Sequence, residues 1–426
     1  MRRAFTLPLF CLASAGLLGS CGCTVISDLI GSEKRDVYKF DHPFAVADPA
    51  FRRSLDTFGT TMIPGNTAEL LKNGDEIFPA MTAAIRQAQK TVNLETYIFQ
   101  PDEGGKQFAD AMIDAARRGV EVRLLIDAWG SKLDDLREPL EKAGVHWRKY
   151  RPVRLFSIYK VGKRTHRKIL VVDGKVAFTG GLGIQKRWLG NARNSNEWRD
   201  TQVRVTGPVV DQMQAIFAED WTYTTGEILA GEKFYPKPDG ASGSVHAQAI
   251  KISRGDASSL AKMLYYVAIQ SAVKSIHIQN AYFLPDKQVR DALVAAVARG
   301  VDVKVMVPGR HIDLPMARFA SWLHYGEMLK GGVKIYEYRD TMMHNKTMVV
   351  DGMFSTIGSI NFDTRSMNRN AEESLAFYEH AFAQKMEAMF DEDLKRCDEI
   401  TLDAFSHRGL AKRASELISY IWEPYY

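Results

Sequence analysis

The chain reads HRKILVVD at residues 166–173 and HNKTMVVD at residues 344–351. Both stretches have the pattern His-x-Lys-x4-Asp, and the three motif residues are separated by the same offset of 178 positions (344 − 166, 346 − 168 and 351 − 173). The apolar run in each copy ends in an Asp-Gly pair, which is typical of a buried strand followed by a tight turn. A motif repeated at equal spacing indicates that one structural unit occurs twice in the chain.

The sequence around each motif also repeats in the same order. Strand-like runs at 92–99 and 276–283 each precede an Ala-rich helical pattern, and both helices end in Arg-Gly-Val, at 118–120 and 299–301. Strands that alternate with helices predict an α/β fold, here two tandem α/β sandwich domains that each contain a mixed sheet. The predicted boundaries are 61–225 for the first domain, 226–245 for a linker, 246–403 for the second domain and 404–426 for a C-terminal amphipathic helix.

The duplicated motif carries the chemistry. His166 and Lys168 are two residues apart, as are His344 and Lys346, so each pair projects from one side of its strand. An imidazole supplies nucleophilicity or proton transfer near neutral pH, and an ammonium group supplies positive charge. Two such pairs suit a phosphate diester, whose developing negative charge needs electrostatic stabilisation. A lone histidine on an apolar strand is more often a core residue, but this duplicated constellation favours a catalytic site.

Asp173 and Asp351 complete the two motifs, and we count them with the catalytic set. Each follows its histidine by seven residues and begins an Asp-Gly turn, where we expect it to fix the turn geometry rather than to react. A metal centre is the competing interpretation of the duplicated motif. The required lysines and the lack of a tight cluster of Asp, Glu and His ligands argue against it, so we predict no metal.

The composition sets broad limits on the class of protein. The chain has 426 residues, of which 46% are hydrophobic and 25% charged, and these values exclude collagen-like, disulfide-scaffold and wholly disordered proteins. The 56 Lys and Arg residues against 51 Asp and Glu residues leave a net charge of +5, which is compatible with anionic lipid and with nucleic acid. Four cysteines, three of them near the N-terminus, cannot form a disulfide framework.

The N-terminus has the features of a lipoprotein-type signal peptide, which we place at 1–20. Two arginines precede an apolar stretch at 4–18, and the sequence LGSC at 18–21 resembles the bacterial lipobox. We therefore predict lipidation of Cys21, a membrane tether at 21–60, and a catalytic body on the periplasmic or extracytoplasmic side of a bacterial membrane. An uncleaved signal anchor and simple secretion are the alternatives.

The two motifs resemble those of the phospholipase D superfamily, and the resemblance extends over about residues 65–400. Within the superfamily, the chain is most similar to bacterial cardiolipin synthases. The supporting segments are LETYIF at 94–99, RGV at 118–120 and 299–301, DAWGS at 127–131, WRD at 198–200, GP at 207–208, YFLP at 282–285, GSINFD at 358–363, RS at 365–366 and NAE at 370–372. The resemblance implies two phospholipase D-like domains, related by a pseudo-two-fold axis, that share one active site.

The resemblance also implies a role for each site residue. His166 takes the phosphatidyl group as a phosphohistidine, while His344 protonates the leaving alcohol and deprotonates the incoming one. Asp200 and Glu372 hold the tautomer and orientation of the two imidazoles. The residues implied in phosphate binding are Lys168, Lys346, Asn361 and Ser359. No cofactor is implied, because protein cations supply the positive charge.

The chain departs from the family pattern at two places. Gly183 stands 17 residues after His166, where the family has Asn and where Asn361 stands 17 residues after His344. One phosphate donor is therefore missing or is supplied elsewhere. Many cardiolipin synthases also begin with two spanning helices, whereas this chain begins with a signal-like segment, and a lipid anchor would keep its body near lipid substrates.

These features predict a membrane-associated phosphatidyltransferase that makes cardiolipin by passing a phosphatidyl group to the hydroxyl of phosphatidylglycerol. A hydrolytic phospholipase D or a nuclease of the same superfamily is the alternative, because both share the phosphohistidine step. Lys163, Arg164 and Arg167 would begin a basic groove for nucleic acid, but the predicted lipid anchor favours phospholipid partners. A non-catalytic lipid-binding or scaffold protein is disfavoured because both His-Lys pairs are intact. The donor lipid and the oligomeric state stay open.

Overall fold

The computed structural model describes residues 38–40, 43–152, 163–237, 243–253 and 259–409. The predicted signal peptide and Cys21 lie outside the described residues, and so does most of the predicted C-terminal helix, at 410–426. From Phe40 onward the described residues form one compact body. In these ranges, no helix combines the length and the apolar character needed to cross a membrane.

The first half of the body alternates strands with helices, as the sequence predicts. Its helices are α1 (Pro49–Leu55), α2 (Asn73–Gln87), α3 (Glu103–Arg117), α4 (Arg137–Lys142) and α5 (Val209–Thr225). Its strands are β1 (Ile63–Lys72), β2 (Thr91–Thr96), β3 (Glu121–Asp127), β4 (His146–Tyr150), β5 (Lys168–Val172), β6 (Val176–Gly180) and β7 (Thr201–Thr206). Helix α3 begins where the Asp102 side chain accepts hydrogen bonds from two backbone amides, and it ends before Gly119, whose φ of +89° suits glycine.

The second half repeats this order. Its strands are β8 (Val245–Ile252), β9 (Ser275–Asn280), β10 (Asp302–Pro308), β11 (Lys334–Tyr338), β12 (Lys346–Val350), β13 (Phe354–Gly358), β14 (Glu372–Tyr378) and β15 (Cys397–Ile400). Its helices are α6 (Ser259–Gln270), α7 (Lys287–Ala298), α8 (Pro315–Lys330), α9 (Thr364–Asn368), α10 (His380–Leu394) and α11 (Leu402–Ser406). Helix α7 has the same end signals as α3, with an Asp286 cap and Gly300 at φ +92°.

The strands form one mixed sheet rather than a separate sheet in each half. In the described residues the order is β15-β11-β10-β9-β12-β13-β14-β8-β1-β7-β6-β5-β2-β3-β4. The mixed α/β fold is therefore confirmed, but the expected two sheets are joined through the antiparallel pair β1–β8. This pairing gives the backbone groups of both edge strands hydrogen-bond partners that two isolated sheets would leave unpaired.

Within the predicted tether of 21–60, the described residues from 43 onward pack on the folded body, contrary to the expectation of a tether at these positions. Val46, Phe51 and Leu55 are buried in the core of the second half. The Phe51 ring lies 5.4 Å from that of Phe354, and the Tyr378 hydroxyl donates to the carbonyl of Val46 (3.0 Å). The apolar side of the short helix α1 therefore packs on the body, because leaving these aromatic and aliphatic side chains in water would cost free energy.

A shared core lies between the halves. Apolar side chains of β7 and α5 pack against those of β8 and β14, including Val203, Phe217, Ala249 and Leu375. Arg167 crosses this layer, and its guanidinium donates to the Asp220 carboxylate (2.7 Å) and to the backbone of β8. The core fixes the two halves against each other, so side chains of both halves can meet in one site.

Candidate active site

Both His-Lys pairs lie at the start of a strand. In the antiparallel register, Lys168 is beside the last residue of β2, and Lys346 is beside the last residue of β9. Side chains alternate along a strand, so His166 and Lys168 face one way while Arg167 faces the shared core. The matching position of His344 places the second pair at the equivalent edge of the second half.

Two pairs of backbone hydrogen bonds join the halves beside the histidines. The amide of His166 donates to the carbonyl of Ala371 (2.8 Å), whose own amide donates to the carbonyl two residues before His166 (2.8 Å). In the same way, the amide of Arg199 donates to the carbonyl two residues before His344 (2.9 Å), and the amide of His344 donates to the carbonyl of Arg199 (2.7 Å). Each histidine segment is thus paired with a segment of the opposite half.

Each imidazole meets a carboxylate from the opposite half. Nδ1 of His166 donates to Oε2 of Glu372 (2.8 Å), and Nδ1 of His344 donates to Oδ2 of Asp200 (2.9 Å). An ionised carboxylate only accepts hydrogen bonds, so the proton of each neutral ring sits on Nδ1 and Nε2 keeps its lone pair. The crossed pairs therefore build a single site in which neither half contains a complete histidine–carboxylate unit.

Three side chains hold the Glu372 carboxylate. The hydroxyls of Ser359 (2.6 Å) and Ser366 (2.7 Å) donate to it, as does the amide of Asn370 (3.3 Å). Burial raises the pKa of Glu372, but His166 and the donors around it outweigh this effect and keep the pKa below its usual range. The expectation that Ser359 binds phosphate is corrected here, because its hydroxyl is engaged with the carboxylate and is fully buried.

The Asp200 carboxylate is held by a different set of donors. The indole Nε1 of Trp188 donates to Oδ2 (2.7 Å), and the amide of Thr201 donates to Oδ1 (2.8 Å). Sequence reasoning did not identify Trp188 as a site residue. The repeat offset contains the signal, since Trp188 and Ser366 are also 178 positions apart (366 − 188) and each donates to the carboxylate of its own half.

The indole also explains the departure at Gly183. A Cβ at Gly183 would lie 2.9 Å from Cη2 of Trp188 and 3.1 Å from Cβ of Ile98, so no side chain fits there. In the second half the smaller Ser366 leaves room for Asn361, whose side chain is buried and whose amide oxygen has no hydrogen-bond partner in the described part of the chain. The two halves therefore differ here, because only the second half has an amide side chain at this position.

The environment keeps the histidines neutral. Burial lowers the pKa of His166 to about 4, and Lys168 lowers it further while Glu372 opposes the shift. Burial also lowers the pKa of His344 to about 4, with Lys346 acting in the same direction. At neutral pH both rings therefore have an unprotonated Nε2, the state that a nucleophile or a general base requires.

The two lysines are buried at the same place. Nζ of Lys168 donates to the carbonyl of His166 (2.6 Å), and Nζ of Lys346 lies 2.7 Å from the carbonyl and 3.0 Å from Nε2 of His344. Burial lowers the pKa of Lys168 to about 8 and that of Lys346 to about 7, although Glu372 and Asp200 favour the charged forms. Two cations in a buried site make it suited to an anion such as a phosphate diester.

The motif carboxylates Asp173 and Asp351 lie away from these groups, at the opposite ends of β5 and β12. Asp173 accepts hydrogen bonds from three successive amides at 89–91 (2.7–2.9 Å), and Asp351 does the same at 273–275 (2.7–3.2 Å). Both have positive φ, +54° and +53°. Their inclusion in the catalytic set is therefore corrected: they fix the turns and the start of β2 and β9.

Two members of the suggested basic groove are unavailable to a ligand. Arg167 is buried against Asp220, and Arg164 is buried 3.8 Å from the Asp127 carboxylate. Only Lys163 of the three is exposed. Arg164 and Arg167 are therefore not placed to bind a nucleic acid, because phosphate contacts need accessible charge.

Aromatic rings enclose the histidines, and sequence reasoning assigned them no role. The Tyr97 ring lies 5.2 Å from that of His166, and the Trp188 and Trp198 rings lie 5.4 and 5.6 Å from that of His344. Such walls exclude water and strengthen electrostatic interactions inside the site. Across the described ranges, no three His, Cys, Asp or Glu side chains are grouped as a metal ion would need; the expected absence of a metal stays a prediction.

Comparison with known proteins gives a family. The model of the family described as "Cardiolipin synthase, PLD-like domain" matches twice, at residues 81–221 and 265–394. A probable cardiolipin synthase of Bacillus subtilis (strain 168) is 36% identical over 353 residues, which cover 82% of this chain and 70% of the relative. A cardiolipin synthase of Clostridium perfringens (strain SM101 / Type A) is 32% identical over 400 residues, covering 91% and 83%.

Among solved structures, phosphatidylserine synthase of Haemophilus influenzae Rd KW20 has a similar fold. The TM-score is 0.67 at 14% sequence identity, and the match covers 88% of this chain and 97% of that one. This likeness supports the architecture alone. Both family matches include one complete His-x-Lys-x4-Asp motif, and the relatives extend over most of the chain. The chain therefore belongs to the cardiolipin synthase family of phospholipase D-like proteins.

Proposed function

We propose that this protein is a cardiolipin synthase that transfers a phosphatidyl group from one phospholipid to the hydroxyl of phosphatidylglycerol, through a phosphohistidine on His166. The observation that supports this most is the crossed pairing of His166 with Glu372 and of His344 with Asp200. It provides two imidazoles with unprotonated Nε2 atoms beside two buried ammonium groups, which is what a two-step transfer of a phosphate diester needs.

In the first step, Nε2 of His166 attacks phosphorus, and the bond to the leaving alcohol breaks. His344 gives the leaving oxygen a proton from Nε2, so that it departs as a neutral alcohol. The pKa of His344 is low in the free site; a bound anionic diester raises it, so Nε2 takes up a proton from solvent as the donor lipid binds and holds this proton until the leaving oxygen accepts it. Lys168 and Lys346 offset the charge that develops on the phosphate oxygens.

In the second step, the acceptor replaces the departed alcohol. His344 takes the proton of the acceptor hydroxyl, the oxygen attacks phosphorus, and the P–N bond to His166 breaks. His166 leaves as a neutral imidazole, because its Nδ1 proton is held by Glu372 throughout. His344 thus regains the proton that it gave up in the first step, and the phosphatidyl group has passed to the acceptor. The site can then begin another turnover.

The surroundings of the two rings favour His166 as the nucleophile. In the described part of the chain, the His166 ring forms a hydrogen bond only at Nδ1. The His344 ring is engaged at both nitrogens, with Asp200 and with Lys346. A ring with an unengaged lone pair is suited to attack, and a ring linked to a titratable ammonium group is suited to proton transfer.

Product analysis tests the proposed reaction. Purified protein in detergent micelles with phosphatidylglycerol is expected to form cardiolipin and release one glycerol for each cardiolipin. Formation of phosphatidic acid without cardiolipin would replace the proposal by hydrolysis, in which water takes the place of the acceptor. Activity on a nucleic acid but on no phospholipid would favour the nuclease alternative.

Replacing Lys346 by Arg is expected to move the alkaline limit of activity. Above its pKa of about 7, Lys346 loses its proton, so kcat/KM should fall as pH rises through this value. Arg stays charged, so the pH at which kcat/KM begins to fall should then rise toward the pKa of Lys168, about 8. The pH profile of kcat/KM on micellar phosphatidylglycerol measures this, with the exposed Lys90→Arg variant as control. If the alkaline fall of kcat/KM in Lys346→Arg occurs at the same pH as in the parent, another group is responsible for it.

We further propose that Cys21 is lipidated after cleavage of the signal peptide. The support is the lipobox-like sequence at 18–21. Two or three acyl chains would hold the protein at a membrane without another anchor. Cys21→Ser should yield a precursor, or a protein cut elsewhere, and should lower the membrane fraction after a carbonate wash. An unchanged membrane fraction together with an unchanged N-terminal mass would favour an uncleaved anchor instead.

A further inference from the structure

Two exposed apolar side chains occupy corresponding loops of the two halves. Trp129 follows β3 and is 64% exposed, and Leu314 lies in the loop after β10 and is 44% exposed. Single exposed apolar residues are common on soluble proteins. Trp129 and Leu314 differ from such scattered residues, because they follow equivalent parallel strands. Both loops therefore lie at the edge of the sheet that carries the histidines.

Both residues lie in loops that are connected to the histidine segments through neighbouring residues. The amide of Trp129 donates to the carboxylate of Asp127 (2.8 Å), which also accepts from the amide of Thr165 (3.2 Å), the residue before His166. On the other side, Leu314 follows Asp313 in the chain.

Asp313 accepts from the Tyr282 hydroxyl (2.7 Å), and the Tyr282 ring lies 6.2 Å from that of His344. Trp129 and Leu314 therefore flank the site from opposite halves.

Exposed cations surround these two residues. Five of them lie in the loops around the site: Lys132, Lys163, Arg187, Arg310 and Arg369. None of the five forms an ion pair with another described residue, and Arg187 stacks 5.6 Å from the ring of Trp198. The exposed carboxylates of the same loops are Asp134, Asp135 and Asp313, and the last is bonded to Tyr282. We call the five cations with Trp129 and Leu314 the rim.

We propose that the rim docks on the head-group region of an anionic bilayer, with Trp129 and Leu314 entering the interface. A tryptophan is favoured at a lipid interface because its ring is amphipathic, and unpaired Lys and Arg side chains are attracted to anionic head groups. Docked in this way, the mouth of the site faces the membrane, and a two-chain lipid reaches the histidines without leaving it. The binding itself does not depend on the proposed reaction.

The opposite end of the molecule provides a matched control. Val273 is 55% exposed, but its amide donates to Asp351 (3.0 Å), at the far end of β12 from Lys346. Val273→Ser removes exposed apolar surface of the same kind at a place where docking would not bury it. Trp129, Leu314 and Val273 are all outside the catalytic machinery, so none of the three substitutions should change the chemistry of the site.

The first test measures binding of the full chain to vesicles. All variants carry Cys21→Ser, so acyl chains do not contribute, and the vesicles are phosphatidylcholine alone or phosphatidylcholine with phosphatidylglycerol. Trp129→Ser/Leu314→Ser should lower the partition coefficient on the anionic vesicles by about tenfold or more. Val273→Ser should bind like the parent, and added salt should weaken binding of the parent. Equal loss in Val273→Ser, or no loss in the double variant, would overturn the proposal.

A second measurement is independent of any other membrane contact. Lipids brominated near the head group should quench the tryptophan fluorescence of the parent more than that of Trp129→Phe. Equal quenching would place Trp129 outside the interface and contradict the docking. Activity on short-chain phosphatidylglycerol below its micelle concentration separates the two proposals. If the double variant keeps this activity but loses activity on vesicles, the result supports docking. If the parent is inactive on both substrates, the result contradicts the proposed reaction, and the docking is then judged by vesicle binding alone.

Discussion

His166→Ala is expected to abolish turnover, with a fall in kcat of at least about 10⁴-fold, because no other group can take the phosphatidyl group from the donor. His344→Ala should lower kcat by about 10²–10⁴-fold through loss of proton transfer to the leaving alcohol. Steady-state rates of cardiolipin formation in micelles measure both effects. The two variants should be folded, since each removes only a side chain that lines the site.

A matched control and a leaving-group series sharpen this test. His246→Ala removes a histidine of β8 that is hydrogen-bonded to Arg52 of α1 (2.9 Å), and it should keep normal activity. A donor lipid with an acidic leaving alcohol, which needs little protonation, should restore much of the rate of His344→Ala but none of that of His166→Ala. Rescue of His166→Ala alone would mean that the two roles are reversed.

Glu372→Gln is expected to lower kcat by about 10³–10⁴-fold while leaving KM nearly unchanged. The amide can offer its NH2 to Nδ1 of His166, which favours the tautomer with the proton on Nε2 and removes the lone pair needed for attack. Asp200→Asn should act on His344 in the same manner. Rates and KM values for micellar phosphatidylglycerol, measured beside the thermal midpoints of unfolding, check the prediction.

The motif carboxylate Asp173 is the control for Glu372. Asp173→Asn weakens the hydrogen bonds to three amides at the start of β2, so the thermal midpoint of unfolding should fall. The kcat at low temperature should stay close to that of the parent. A loss of activity in Asp173→Asn as large as that in Glu372→Gln, at equal folded fraction, would contradict the separation of turn and site residues.

Sequence alone could predict the parts of the site that repeat. The equal offset of 178 positions identified both His-Lys pairs, and strand alternation placed each pair on one side of its strand. The α/β class followed from alternating strand and helix patterns, and the structure confirms it. Asp200 and Glu372 came from the family resemblance, but nothing in the sequence indicated that each carboxylate belongs to the histidine of the opposite half.

The remaining features depend on tertiary contacts. The family resemblance implies that Ser359 binds phosphate, and only the packed structure shows that its hydroxyl donates to Glu372. Trp188 reads as an ordinary core residue until its indole nitrogen is seen at Asp200. The predicted tether was wrong at Phe51, which is buried in the core of the second half. The short apolar segment around it does not show from sequence alone which surface it packs against.

In the proposed reaction, His166 carries the phosphatidyl group between donor and acceptor. The most direct measurement is mass analysis of protein mixed with phosphatidylglycerol, quenched within a single turnover by cold denaturant at mildly alkaline pH, where the P–N bond and the acyl esters both persist, and then digested. We expect an added phosphatidyl group on the peptide that contains His166, and none on the peptide that contains His344. An adduct on His344, or cardiolipin formed with no adduct on either peptide, would contradict it.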